Sequence, residues 1–344
     1  MPKPVVTLRD VDIVFGENPK RALPLIDAGK TREEIQKQTG QTLGVAGATF
    51  DIVEGEVIVL MGLSGSGKST LLRAINGLNP VIRGEVKVHQ HQRAINPATC
   101  TTEELRNLRR NMIAMVFQQF ALLPWRTVAD NVGFGLELAG VPVAKRKAKV
   151  EEQLELVGLD GWGDKTVDEL SGGMQQRVGL ARAFATDAPI LLMDEPFSAL
   201  DPLIRDRLQD ELLSLQKKLN RTIVFVSHDL DEAAKIGSRI AIMEGGHIIQ
   251  LGTPQQIVRN PANDYVADFV AHMNPLNVLR ARDVMTEFVN GEAVHFVSAP
   301  QCDPVTPLRQ VIALKRQADG PIVVAEGGEP LGVITEADLL ECMN

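Results

Sequence analysis

Residues 57–69, VIVLMGLSGSGKS, decide the fold: five apolar residues run into a glycine-rich loop that ends in Lys68 and Ser69. A short, wholly apolar run of this kind is typical of a parallel strand that is buried on both faces. The residues that follow, TLLRAINGL, have the pattern of a helix. The segment therefore predicts a strand, a loop and a helix in succession, and the loop satisfies G-x-x-x-x-G-K-[ST], a phosphate-binding pattern in that context.

The loop after this strand has the chemistry of a nucleotide site. Its glycines let backbone N–H groups converge on phosphate oxygens, and the N-terminus of the helix adds a favourable dipole. We expect Lys68 to reach the β- and γ-phosphates and the Ser69 hydroxyl to bind Mg²⁺. A glycine-rich turn without a ligand is disfavoured, because strand and helix both flank the loop. The residues predicted to bind the nucleotide are Gly62, Ser64, Gly65, Ser66, Gly67, Lys68, Ser69 and Thr70.

A second candidate site follows the apolar run ILLM at residues 190–193, where Asp194 and Glu195 are adjacent. A carboxylate at the end of a buried strand is costly unless something pairs with it. Mg²⁺ would supply that pairing for Asp194. Glu195 would then orient or deprotonate a water that attacks the γ-phosphate. Without the phosphate loop, the same pattern would equally fit a polar turn at a strand end.

Composition restricts the class of protein. The chain has 344 residues, 44% apolar and 23% charged, which suffices for two or three globular domains. A net charge of −8 argues against nucleic acid as the main partner. Cys100, Cys302 and Cys342 form no CxxC pair, which is typical of a reducing compartment. Because no apolar run approaches the ~18 residues of a membrane span, we expect another protein to hold this one at any membrane.

The pattern along the chain predicts an α/β fold in two domains. Buried strands alternate with helical segments, and ligands of such sheets sit at the carboxyl ends of the strands. Residues 239–251, RIAIMEGGHIIQL, predict a hairpin that turns at two glycines. We predict a nucleotide-binding domain at residues 1–275, with a helical subdomain at about 118–185. A small α/β unit, with a helix and two strands around a Gly-Gly turn, is predicted at 276–344.

An insertion interrupts this order at Ala22–Gln41. Within it, Thr31 and Glu34 form the pattern of a capping box, in which the two side chains satisfy each other's backbone N–H groups. The insertion therefore predicts a short helix between two strands.

Further motifs give the chain a resemblance to ABC ATPases. LSGGMQQR at residues 170–177 resembles the signature motif of that family, and SALD at 198–201 resembles its D-loop. His228, which follows the apolar run TIVFV, resembles the switch histidine, and Gln118 in MVFQQF resembles the Q-loop glutamine. Phe15 resembles the aromatic residue that stacks on adenine, although the family often has tyrosine there.

The resemblance covers residues 5–255 and implies a P-loop ATPase with a mixed sheet core and a helical subdomain, which hydrolyses Mg-ATP as a head-to-tail homodimer. It implies that Glu195, His228 and Gln118 act in hydrolysis. Mg²⁺ would be bound by Ser69, Gln118 and Asp194, and Phe15 would contact adenine unless it is a plain core residue. The residues implied to contact the nucleotide held by the partner subunit are Ser171, Gly172, Gly173 and Asp201.

The likeness is closest to ATPases of bacterial quaternary-ammonium importers, which take up glycine betaine, proline betaine, carnitine or choline. The segments MGLSGSGKST, LLPWRTV and VSHDLDEA carry it, and LLPWRTV and NPLNVLR are most similar to choline-uptake ATPases. It implies integral-membrane permease subunits, an extracytoplasmic substrate-binding protein, and a peripheral position on the cytoplasmic face of the inner membrane. An importer of another solute, such as a sugar or an amino acid, is the alternative; a soluble ABC ATPase without transport is less favoured.

The tail between Arg282 and Asp338 resembles a single CBS motif, a unit that usually occurs as a pair. Either two subunits each contribute one motif, or the unit is only structural. The resemblance implies that Thr335 and Asp338 bind ribose and phosphate, and that the tail regulates the ATPase in response to salt or a nucleotide.

Overall fold

The computed structural model describes residues 3–90, 93–271, 273–288, 299–317 and 320–342. Their elements up to residue 185 are, in chain order, β1 (Pro4–Phe15), α1 (Leu23–Asp27), α2 (Arg32–Thr39), β2 (Thr42–Val53), β3 (Val57–Met61), α3 (Lys68–Ile75), β4 (Arg83–Gln90), β5 (Arg93–Ile95), α4 (Thr102–Asn111), β6 (Ile113–Val116), α5 (Val128–Leu138), α6 (Val143–Leu156) and α7 (Gly172–Ala185). The remaining elements are β7 (Ile190–Asp194), α8 (Pro202–Leu219), β8 (Thr222–Val226), α9 (Leu230–Ile236), β9 (Arg239–Glu244), β10 (His247–Gly252), α10 (Pro254–Arg259), α11 (Asp264–Val270), α12 (Pro275–Val278), α13 (Ala281–Val284), β11 (Thr286–Glu287), β12 (Gln301–Cys302), α14 (Leu308–Lys315), β13 (Ile322–Glu326), β14 (Glu329–Ile334) and α15 (Glu336–Glu341).

A six-stranded sheet in the order β10-β9-β3-β8-β7-β6 positions the candidate site. Strands β3, β8, β7 and β6 run parallel to one another. Every residue of β3, β7 and β8 is buried, which confirms the prediction from their apolar runs. Because parallel strands end at the same edge of a sheet, the loops that follow these three strands come together.

The predicted hairpin at 239–251 is also confirmed. Strands β9 and β10 are joined by Gly245 and Gly246, whose φ angles of 56° and 94° lie in the left-handed region. That conformation is favourable for glycine and matches the twist of a two-residue hairpin.

The insertion forms a small folded platform beside a second sheet, whose order is β2-β1-β4-β5. Thr31 and Glu34 make the predicted capping box at the start of α2, and Gly40 ends the helix with φ 70°. Ile35 is fully buried in a cluster with Val14, Leu43 and other apolar side chains. The helix α2 is thus anchored on β1 and β2, the two strands that flank it in the chain.

The predicted helical region contains α5, α6 and α7, which pack against one another. Buried Asn131 of α5 fixes the preceding loop, since its side chain accepts from the Leu123 N–H at 2.8 Å and donates to the Leu123 carbonyl at 3.1 Å. Its amide also donates to the Thr127 carbonyl at 3.0 Å. These bonds attach the loop to the helical region.

The chain packs into two units, residues 1–228 with 241–249 and residues 229–240 with 250–344. In the second, a sheet in the order β11-β14-β13-β12 packs on helices through a core that includes Leu308, Ile322 and Ile334. The predicted helix and the two strands around a Gly-Gly turn are present. This unit also takes in residues 229–240 and 250–275, which the sequence analysis assigned to the preceding domain. None of the helices in the described ranges is long and apolar enough to span a membrane.

Candidate active site

The glycine-rich loop after β3 is packed backbone to backbone against its neighbours. A Cβ atom at Gly62 would lie 2.1 Å from the Met243 carbonyl oxygen, and one at Gly67 would lie 2.5 Å from the Gly44 carbonyl oxygen. Both glycines also have φ angles that side chains rarely adopt, 141° and 106°. The loop therefore requires glycine at these positions in order to curl between β2 and β9.

Lys68 is held inside the curl of this loop. Its Nζ donates to the carbonyl oxygens of Gly62 at 2.8 Å and Leu63 at 3.0 Å. Since an ammonium group has three donors, one remains for a ligand. Burial lowers the pKa of Lys68 from its usual value, and the negative charges of Glu195 and Asp194 oppose that shift. A cation that has lost part of its hydration interacts strongly with a phosphate.

Asp194 is fully buried at the end of β7 and is bonded through both oxygens. Its Oδ1 accepts from the Ser69 hydroxyl at 2.6 Å, and its Oδ2 accepts from Arg73 Nη2 at 2.8 Å. The pairing that the sequence analysis assigned to Mg²⁺ is thus supplied in part by Arg73, which that analysis missed. The signal was available, because Arg73 lies one helical turn after Ser69 and so faces the same side of α3.

Glu195 has a strained backbone, with φ 47° in the left-handed region. A non-glycine residue held there costs of order 1–3 kcal/mol, and such strain concentrates at functional sites. Its carbonyl oxygen accepts from Gln176 Nε2 at 3.2 Å and from the Ser198 hydroxyl at 3.1 Å. These bonds fix the direction in which the Glu195 side chain leaves the backbone.

Two of the three residues predicted to act in hydrolysis, Gln118 and His228, converge on a carboxylate oxygen of the third, Glu195. Gln118 Nε2 donates to Glu195 Oε2 at 3.2 Å, and His228 Nδ1 lies 3.4 Å from the same oxygen. The Glu195 side chain is largely buried, with 18% exposed, whereas the His228 side chain is 64% exposed. The carboxylate is therefore oriented by two neighbours and still faces the site.

These side chains share one cavity of about 520 Å³. Phe15, at the end of β1, is 38% exposed and lies at its wall, where the sequence analysis placed the adenine. Buried Gly62, Ser66 and Asp194 are not among the lining residues. The residues that line it are Phe15, Arg32, Thr42, Leu43, Gly44, Ser64, Gly65, Gly67, Lys68, Ser69, Thr70, Gln118, Glu195 and His228.

The signature and D-loop residues of the same chain do not line this cavity. Ser171 caps α7, accepting from the Met174 N–H at 3.4 Å, and Asp201 caps α8, accepting from the Ile204 N–H at 3.0 Å. Gly172 and Gly173 open α7 beside Ser171. One chain therefore supplies a phosphate loop and, elsewhere on its surface, a second helix start of the kind that binds phosphate.

Gln176 connects α7 to Glu195 and to the D-loop, a role that its sequence context did not predict. The buried side chain on α7 donates to the Glu195 carbonyl, and its Oε1 accepts from the Ala199 N–H at 3.0 Å. A shift of α7, the helix that carries the signature motif, would consequently move the backbone at both Glu195 and the D-loop.

The site fits a nucleotide with its metal. No cluster of three or more His, Cys, Asp or Glu side chains in the described ranges could hold a metal ion by itself. Ser69 and Asp194 offer two adjacent oxygens, which suit Mg²⁺ if a nucleotide and water supply its other ligands. Ser66 Oγ is buried without a hydrogen-bond partner among the described residues. Because Ser66 does not line the cavity, its contact with the nucleotide stays a prediction.

These features define a P-loop nucleotide hydrolase. The phosphate loop follows β3, the hydrogen-bonded Asp194 ends β7 and the strained Glu195 comes next, and His228 follows β8. A family model described as ABC transporter matches residues 45–198. A solved dimer of the ATP-binding cassette MJ0796, bound to ADP and Pi, is similar with a TM-score of 0.63 and 30% identity, over 72% of this chain and 98% of that one.

Two curated relatives are ATP-binding proteins of transport systems for methylated amines. The glycine betaine/proline betaine transport system ATP-binding protein ProV of Escherichia coli is 52% identical over 278 residues, 81% of this chain and 68% of that protein. The trimethylamine N-oxide transport system ATP-binding protein TmoW of Ruegeria pomeroyi is 40% identical over 343 residues, 100% of this chain and 98% of that protein. The chain belongs to the ABC transporter family of ATP-binding subunits. It is an ATPase that uses ATP and Mg²⁺, which confirms the predicted fold class, enzyme class and cofactors.

Proposed function

We propose that the chain is the ATPase subunit of an importer for betaines and related methylated amines. The observation that carries this proposal is the likeness to ProV and TmoW, whose names give glycine betaine, proline betaine and trimethylamine N-oxide as transported compounds. The segments LLPWRTV and NPLNVLR also led to the more specific prediction that choline is the transported compound. The transported compound would cross the membrane in another subunit, so this chain supplies only the energy.

The partners we propose are a second copy of this chain, integral-membrane permease subunits and, through them, an extracytoplasmic substrate-binding protein. The chain would lie on the cytoplasmic face of the inner membrane. An apolar groove of about 580 Å³ supports a permease contact, since Phe117, Leu123, Phe134 and Leu138 line it together with several arginines. It adjoins Gln118 in sequence and would suit an apolar helix with acidic ends.

In the proposed cycle, the signature residues of each chain complete the cavity of the other. Ser171 and Gly173 would face the γ-phosphate that Lys68 of the partner subunit binds. Closure is then a population shift, because only the closed dimer makes both sets of contacts. Mg²⁺ held by Ser69 and Asp194 would neutralise charge on the phosphoryl oxygens. Loss of the γ-phosphate removes the bridge and opens the dimer.

Within one site, Glu195 orients or deprotonates the attacking water, and Gln118 and His228 hold its carboxylate. The convergence of Gln118 and His228 on Glu195 Oε2 supports this division of roles. The strained backbone at Glu195 aims the carboxylate into the cavity before any ligand arrives, and preorganisation of this kind lowers the cost of reaching the transition state.

The Glu195→Gln variant tests this mechanism. Glutamine keeps the shape and the contact with Gln118 but cannot take a proton, so we expect hydrolysis to fall about 10²–10⁴-fold. MgATP should still bind and should accumulate a stable dimer, measured by size-exclusion chromatography with light scattering. The exposed Glu103→Gln is the matched control and should hydrolyse ATP like the wild type. A Glu195→Gln protein that stays monomeric with saturating MgATP would contradict the dimer mechanism.

The transported class is tested in liposomes that contain the chain, its permease and its binding protein. ATP hydrolysis is measured with glycine betaine, proline betaine, trimethylamine N-oxide, carnitine, choline and maltose in turn. We expect stimulation by one or more of the methylated amines and none by maltose. Stimulation by choline alone would establish the narrow prediction. A complex that hydrolyses ATP but responds to none of the amines would overturn the substrate class and leave the ATPase intact.

We propose, in addition, that residues 276–344 regulate hydrolysis through α9. Helix α9 begins two residues after His228, and it is bonded within the second unit to the tail. Asn277 Nδ2 donates to Asp231 Oδ1 at 3.3 Å, and Arg309 Nη2 donates to Asn277 Oδ1 at 2.7 Å. This chain of bonds offers a route from the tail to the segment that carries His228.

Thr335 and Asp338, the residues expected to bind ribose and phosphate, already have a structural role at the start of α15. Thr335 caps α15, and Asp338 Oδ2 accepts from the Thr335 N–H and hydroxyl, both at 2.7 Å. Asp338 Oδ1 also accepts from the Thr286 hydroxyl at 3.2 Å. A ligand would therefore have to compete with these bonds for the Asp338 carboxylate.

The Arg309→Ala variant tests the route from the tail. We expect basal hydrolysis within about twofold of the wild type, because Arg309 lies outside the active site, but a loss of the response of hydrolysis to KCl concentration in the full complex. Arg316→Ala, an exposed charge at the end of the same helix, should keep that response. An unchanged response in Arg309→Ala would remove the proposed route.

A further inference from the structure

Arg32, the first residue of the insertion helix α2, reaches into the nucleotide cavity. Its guanidinium donates to three carbonyl oxygens: to Leu43 from Nε at 2.6 Å, to Gly44 from Nη2 at 3.2 Å, and to Gly65 from Nη1. Leu43 and Gly44 belong to β2, and Gly65 belongs to the phosphate loop. Arg32 therefore ties the loop to the strand beside it.

The residues around Arg32 hold the start of α2 in place beside the cavity. Thr31 caps the helix immediately before it, and Ile35, about one turn later, is fully buried in a cluster with side chains of β1 and β2. Phe15 also lies close to Gly44, since a Cβ atom at Gly44 would lie 3.0 Å from a ring carbon of Phe15. The Phe15 ring and the Arg32 guanidinium thus both lie near Gly44, and both line the cavity.

The guanidinium still has donors to offer a ligand. Arginine carries five N–H groups, and three are used in the contacts above, so two remain. The group is always charged and it lines the same cavity as Lys68. A loop brace alone would need only a neutral donor, whereas a permanent cation at the wall of a phosphate site lowers the free energy of any polyphosphate bound there.

We propose that Arg32 is a nucleotide-binding residue: the insertion supplies a second cation, beside Lys68, for the phosphate chain of ATP. It acts on binding and not on the hydrolytic step, because it contacts the loop at Gly65 and makes no contact with Glu195 or His228 in the described structure. The inference rests on the ATP site and is independent of the transported compound.

Three substitutions in the full chain distinguish the effect of the Arg32 charge on the nucleotide from the effect of its hydrogen bonds to the phosphate loop and β2. R32Q keeps neutral N–H donors for the carbonyl oxygens and loses the charge. R32K keeps the charge and loses the planar fork. K37Q removes a charge from an exposed position on the same helix and is the matched control. Each protein is titrated with ATP and with inorganic tripolyphosphate at several salt concentrations, and its Tm is measured.

We expect R32Q to bind ATP and tripolyphosphate about tenfold more weakly, with a KM that rises by a similar factor and a kcat within about twofold of the wild type. Its affinity should also depend less steeply on salt, since one phosphate contact is lost. R32K should lose less affinity than R32Q, and K37Q should match the wild type. Equal losses in R32Q and R32K with a lowered Tm, or tripolyphosphate binding unchanged in R32Q, would overturn the proposal and leave Arg32 as a brace.

Discussion

The active site depends on the buried carboxylate of Asp194 and on its two hydrogen bonds. A charge without solvent at the end of a strand costs several kcal/mol unless partners satisfy it. Ser69 and Arg73 supply these hydrogen bonds. Both residues belong to α3, the helix that follows the phosphate loop, so the bonds join that helix to the end of β7. That link sets the position of the loop relative to Glu195, the next residue in the chain.

In the dimer mechanism that we propose, the single chain supplies only half of a catalytic unit. Its phosphate loop and its Glu195 are built and oriented, yet the capped start of α7 faces a different part of the surface. Gln176 connects that helix to the Glu195 backbone. In the proposed dimer, contacts of α7 with a second chain would be transmitted through Gln176 to the Glu195 backbone, and would in this way couple dimer closure to hydrolysis.

The sequence predicted those features that depend on local pattern. The strands β3, β7 and β8 followed from wholly apolar runs, and α2 followed from the pair Thr31 and Glu34. The resemblance of their motifs implied that Gln118, His228 and Glu195 act in hydrolysis. It did not predict that Gln118 and His228 meet at the Glu195 carboxylate, and their roles in ATP hydrolysis remain predictions.

The features that the sequence did not predict are contacts between distant segments. Arg32, Arg73 and Gln176 are ordinary helical residues by pattern, and their partners lie on other elements that only the folded chain brings close. The grouping of α9 with the tail had the same cause, since Asp231 and Asn277 are separated by 46 residues. Local periodicity can place Arg73 on the same side of α3 as Ser69, but it carries no information about which distant segment such a residue meets.

The central claim, that ATP and its metal bind at the Ser69–Asp194 pair, is tested most directly by Mn²⁺ binding measured with electron paramagnetic resonance. In the presence of ATP, the wild type should bind one Mn²⁺ per chain. Asp194→Asn should weaken that binding by about tenfold or more, and it should abolish hydrolysis, while the exposed control Asp168→Asn changes neither. If Asp194→Asn binds Mn²⁺ and hydrolyses ATP like the wild type, the metal lies elsewhere and this account of the site is wrong.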